Sequence, residues 1–173
     1  MTNNVEIIGG ADGPTAVFVA GKIGMNWLNV FGLILVVLLL VPNIIYAIKV
    51  RNQQNKCTNR IMNVLEQVGR YGCMFLMVFH IGIAEFGFGS VGAFLIYLIG
   101  NAILMIAYWI IWMLYFYKQT YWEQMSLAVI PTCLFLLSGI TMQHYLLIIF
   151  GAIFGIGHIY VTSRNRVIER DVG

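Results

Sequence analysis

The residues whose types and spacing could do chemistry lie mainly in one short stretch, Ile7-Ile8-Gly9-Gly10-Ala11-Asp12-Gly13-Pro14-Thr15-Ala16-Val17-Phe18-Val19-Ala20-Gly21-Lys22. Gly9 and Gly10 release the backbone ahead of Asp12. Asp12-Gly13-Pro14 is a turn or helix-start signal, with Pro14 suited to the first helical position and Asp12 or Gly13 to the cap. The apolar run from Ala16 to Ala20 then reads as a short helix. Irregular backbone at membrane depth exposes carbonyls, and these can bind Na+ together with a carboxylate and a hydroxyl, here Asp12 and Thr15. A helix N-terminus disfavours a cation, so those oxygens must lie to its side. The other reading of the same residues is a solvent-exposed turn with no ligand.

Outside this stretch, chemistry-bearing residues are few. His80 and Glu85 fall inside or beside an apolar segment, where ionisable groups are costly and mark candidate ion or proton paths. The competing reading leaves Glu85 at the interface and lets Arg70 extend to the nearer headgroups. Glu66 and Arg70 lie four apart and can pair on one helix face. Asn101 sits within another apolar segment and is expected to hydrogen-bond a neighbouring helix. His144 and His158 are expected at opposite ends of one span, too far apart to share a metal. Gly151 and Gly155, with Gly157 nearby, predict close helix packing. Cys57, Cys73 and Cys133 show no metal or redox spacing and read as free thiols. No Ser/His/Asp arrangement, phosphate loop or nucleotide fingerprint is present.

The elements that must position these residues are set by composition. Of 173 residues, 60% are hydrophobic and 10% charged, with a net charge of +3. Soluble domains are about 25% charged, so an integral membrane protein is indicated. A disordered tail, a disulfide-stapled secreted domain and a nucleic-acid binder are excluded. Segments of roughly 20 apolar residues predict five spans: Trp27 to Ile48, Tyr71 to Phe88, Val91 to Tyr117, Gln124 to Ile140 and His144 to Val161. Pro42-Asn43 and Pro131-Thr132 predict kinks within the first and fourth.

Five spans put Lys49, Arg51, Lys56, Arg60, Arg70, Lys118, Arg164, Arg166 and Arg170 on one side and only Lys22 on the other. The positive-inside rule then predicts an outward N-terminus and a cytoplasmic C-terminus in a multi-pass plasma-membrane protein. No secretory signal pattern is seen, so insertion is expected to rely on the first span. The expected organisation is an N-terminal extension over 1–24, a transmembrane helical domain over 25–163 and a basic cytoplasmic tail over 164–173. The fold class is all-α, polytopic.

The stretch Gly9-Gly10-Ala11-Asp12-Gly13-Pro14-Thr15 and its flanks closely resemble a signature of the β subunits of sodium-translocating decarboxylases, which include the oxaloacetate, methylmalonyl-CoA and glutaconyl-CoA decarboxylase pumps. The resemblance is confined to 7–22. It implies an ion-linked carboxylate at Asp12, with Gly9, Gly10, Gly13 and Thr15 shaping a Na+ site. It also implies decarboxylase or other membrane partner subunits, with no cofactor bound by this chain. The motif is equally consistent with an exposed docking module or a relic. The functional expectations are Na+ binding or translocation with partners, or a membrane scaffold or sensor that forms a homo-oligomer or complex. A weaker expectation is a lipid-modifying enzyme using His80, Glu85 or His158. No independent catalytic activity is expected on the first two readings.

Overall fold

A computed structural model of the chain describes residues 28–49, 57–79 and 88–171, with side chains described as far as 165. The described residues form five α-helices: α1 (Val30–Lys49), α2 (Arg60–Val78), α3 (Val91–Lys118), α4 (Tyr121–Thr141) and α5 (Tyr145–Asp171). The chain is an all-α polytopic membrane protein. Four of its helices, α1, α3, α4 and the Tyr145–Asn165 part of α5, are long and apolar enough to cross a bilayer.

Local chemistry explains the boundaries. Asn59 caps α2, its Oδ1 accepting from the Ile61 and Met62 amides. Ser90 caps α3 through the Ala93 amide. Gln119 then stops α3 in the left-handed region, at φ 49°. Thr120 and Glu123 form a capping box at the start of α4, satisfying amides the helix cannot. Both proline-containing helices continue through the proline. One residue on from each, a side chain binds a carbonyl one turn back: Asn43 Nδ2 donates to Leu39 O, and Thr132 Oγ1 to Ala128 O.

The five helices alternate in direction around a ring. Asn29 N donates to Val78 O, joining the start of α1 to the end of α2. Phe31 meets Phe94 and Tyr46 meets Tyr115, so α1 and α3 run together. Asn101 meets Ser138, Gly139 meets Ile148 and Gly69 meets Phe154, making α3–α4, α4–α5 and α5–α2 antiparallel. Lys49, Arg60, Lys118 and Arg164 therefore stand at one end of the bundle, as their spacing along the sequence requires. The apolar residues exposed around α1 and α3, such as Ile34, Ile48, Ile103 and Ile106, form the face offered to lipid.

The second helix differs from the predicted span. The expected segment was Tyr71 to Phe88, whereas the helix starts at Arg60 and ends at Val78, where Phe79 adopts extended backbone. Arg70 consequently lies within α2 rather than ahead of a span. This helix is not among the four apolar ones, yet its contact with α5 is the most extensive in the bundle. The pairings Gly72–Phe150, Gly69–Phe154 and Glu66–Gly157 lay α2 beside the membrane-crossing part of α5. Glycine is required there. A Cβ on Gly157 would lie 2.7 Å from Glu66 N, and one on Gly69 would lie 2.6 Å from Phe154 Cα. Of the predicted packing glycines, Gly151 and Gly155 face Leu136 and Thr132 of α4, and Gly157 faces α2.

Candidate functional site

The backbone approach at Gly157 brings together three ionisable side chains, Glu66, Arg70 and His158, of which Glu66 is buried. On α2, Glu66, Gly69, Arg70 and Cys73 recur at three- and four-residue spacing and so share one face. On α5, Phe150, Phe154, Gly157 and His158 do the same. Glu66 is 8% exposed. Its Oε1 accepts a hydrogen bond from Arg70 one turn further along α2. The same oxygen lies 2.9 Å from His158 Nδ1, across 92 residues of sequence.

Aromatic packing fixes both partners of Glu66. The His158 imidazole stacks on Phe154, with centroids 4.8 Å apart and planes 19° apart. The Arg70 guanidinium lies 6.0 Å from the same ring. His158 is seven residues from the end of the apolar part of α5, about 10 Å at the helical rise, so the cluster sits within the span and toward the basic end.

The protonation logic follows from the donor inventory. Arg70 is always charged, and an ionised Glu66 can only accept. Those two groups neutralise each other, and the His158 Nδ1 that faces the carboxylate carries the proton. One carboxylate oxygen thus accepts from a donor on its own helix and faces a ring nitrogen of another helix. Among the described residues, no three His, Cys, Asp or Glu side chains are grouped to hold a metal ion.

The sequence-derived site residues fall differently. Gly9, Gly10, Asp12, Gly13 and Thr15, and also His80 and Glu85, lie outside the described residues. Asn101 is 1% exposed, and its Oδ1 accepts from Ser138 Oγ at 3.3 Å while its Nδ2 donates to Tyr97 O. It joins α3 to α4, as an asparagine at that depth was expected to join neighbouring helices. The expected Glu66–Arg70 pair is present. The Glu66–His158 contact was not foreseen, and the available signal was that both residues are ionisable in or beside apolar segments. His144 begins α5 at the opposite end, where its Nδ1 accepts from the Leu147 amide. No family model, curated protein or solved structure matches the chain.

Proposed function

We propose that this chain is a small cation-handling subunit of a plasma-membrane transport system, oriented with its N-terminus outward and its basic helix ends in the cytoplasm. The observation that carries the reading is Glu66, held between Arg70 and His158 at the depth of the α5 span. Ionisable residues at that depth are expensive and characteristically serve ion or proton movement. The Asp12 motif adds a second reason, through its resemblance to the β subunits of sodium-translocating decarboxylases. In this reading Asp12 and Thr15, with carbonyls around Gly9, Gly10 and Gly13, hold Na+, and His158 exchanges a proton. Partner subunits supply any chemistry that drives the flux.

The test is uptake of radioactive sodium by proteoliposomes carrying the full chain, with internal pH followed by a trapped dye. Sodium-dependent uptake that falls in both Asp12→Asn and His158→Gln is the expected result. Uptake that survives Asp12→Asn removes Asp12 from the mechanism, and uptake unaffected by His158→Gln removes the proton exchange. No uptake by the unsubstituted chain eliminates transport without partners.

A further inference from the structure

The third helix keeps its polar groups inside and its apolar ones outside. Its six buried residues are Tyr97, Asn101, Met105, Tyr108, Trp112 and Tyr115, spaced by three and four along one face. All but Met105 carry a strong hydrogen-bonding group. The opposite face, with Ile96, Ile99, Ile103, Ile106, Ile110 and Met113, is exposed and apolar. From Tyr97 to Tyr115 the polar stripe covers about 27 Å at the helical rise, close to the roughly 30 Å of a hydrocarbon core. Neighbouring helices bring polar groups to it at four levels. Asn29 stands beside Tyr97. Ser138 Oγ donates to Asn101 Oδ1 at 3.3 Å, and Asn43 Nδ2 donates to Tyr108 Oη at 2.7 Å. The Tyr46 and Tyr115 hydroxyls are 3.4 Å apart.

Helix contacts do not account for all of these groups. Tyr97 is 1% and Trp112 6% exposed. Neither the Tyr97 hydroxyl nor Trp112 Nε1 makes an aligned hydrogen bond among the described residues. Tyr108 stands beside Trp112, as Asn29 does beside Tyr97. Asn29 Nδ2 itself donates to Met142 Sδ at 3.6 Å, a weak acceptor. A buried donor without an acceptor is costly, and water is the molecule that bridges such pairs. The stripe carries no charged side chain, so a bare metal cation meets no counter-charge on it. We propose that the inner face of α3 holds a file of ordered water that conducts protons from one end of the bundle to the other. The hydroxyls of Tyr97, Ser138, Tyr108, Tyr115 and Tyr46 both donate and accept. Each takes a proton from one water and gives its own to the next. One proton enters as another leaves, and no group changes charge. Asn101 and Trp112 hold water without passing protons on. The longest step, from Asn101 to Tyr108, is shortened because a helical tyrosine leans toward the N-terminal end. The flexible Met105 thioether lies between them. This file goes beyond the sodium and His158 reading and uses none of its residues.

The experiment reconstitutes the full chain in phosphatidylethanolamine and phosphatidylglycerol vesicles with trapped pyranine, in sodium-free buffer. A potassium diffusion potential set with valinomycin drives protons inward. Proton entry several-fold faster than in protein-free vesicles is expected. Tyr97→Phe and Tyr108→Phe each delete one hydroxyl at constant shape and should each lower it several-fold. Tyr117→Phe, at a position 84% exposed, should leave it unchanged. Entry no faster than in protein-free vesicles would overturn the proposal, as would entry that survives both Tyr97→Phe and Tyr108→Phe. A second measurement is hydroxyl-radical footprinting by X-ray radiolysis, in which bound water generates the label beside it. Tyr97 and Trp112 should be labelled despite their burial. Phe135, 1% exposed and packed against Phe154, should not. Tyr97 and Trp112 labelled no more than Phe135 would show that the stripe is dry and overturn the file. Both readouts are made without sodium, so their failure is separable from a failure of sodium uptake.

Discussion

Glu66 Oε1 and His158 Nδ1 are 2.9 Å apart at a point where the backbones of α2 and α5 touch. The carboxylate reaches the imidazole because Gly157, one residue before His158, has no side chain to hold the helices apart. Close packing and polar contact are thus two aspects of one junction, and each predicts something measurable.

Removing the carboxylate strands two donors. Glu66→Gln keeps the shape but removes the charge that holds Arg70 and His158 together. Hydrogen bonds to charged groups contribute about 1.5–3 kcal/mol, so Glu66→Gln should destabilise the bundle by about 2 kcal/mol. Thermal or denaturant unfolding in detergent micelles measures this. In a double-mutant cycle with His158→Gln the two losses should not add, because both remove the same contact.

Filling the junction should act through sterics alone. Gly157→Ala puts a methyl group 2.7 Å from Glu66 N and 2.9 Å from its Cα. Backbone has to move, at a cost of about 1–3 kcal/mol. Gly92→Ala is the contrast, since the nearest atom to its new methyl group is Ser90 Oγ at 3.7 Å. That substitution should be neutral, or stabilising by up to about 1 kcal/mol through helix propensity. Equal losses in the same unfolding assay would disprove the glycine contact.

The α3–α4 joint should be weaker. Asn101 and Ser138 are fully buried and share a 3.3 Å hydrogen bond. Interhelical hydrogen bonds in membrane bundles average about 0.6 kcal/mol in coupling. A double-mutant cycle with Asn101→Leu and Ser138→Ala should return about that value. A coupling near zero would mean that packing alone joins α3 to α4.

Charge and hydropathy made the bundle legible. Val91 was identified as the start of the third helix because the stretch from Val91 to Tyr117 carries no charge, and the structure adds Ser90 as its cap. The common end for Lys49, Arg60, Lys118 and Arg164 follows from counting spans. The second helix was displaced for a physical reason. Glu66, Gln67 and Arg70 lower its hydropathy, so the more apolar Tyr71 to Phe88 looked like the span. Part of what makes the buried Glu66 acceptable is supplied from 92 positions away by His158, and no local pattern contains that. Asn101 could be assigned to a helix contact from its type and depth, but its partner Ser138 could not be chosen from several hydroxyls. Asp12 and its glycines were identified from the motif, and they lie outside the described residues.

The dependence of α2 on α5 also bears on biosynthesis. Arg60–Val78 leaves the ribosome well before Tyr145–Asp171 is made, and on its own it is a poor substrate for partitioning into a bilayer. The glycine-lined contact and the His158 counterpart exist only once the last helix has emerged. The second helix should therefore reach its final depth only after the last helix has emerged. A nascent chain halted before Tyr145 should leave Cys73, fully buried on the α5-facing side of α2, open to thiol reagents that the finished protein excludes.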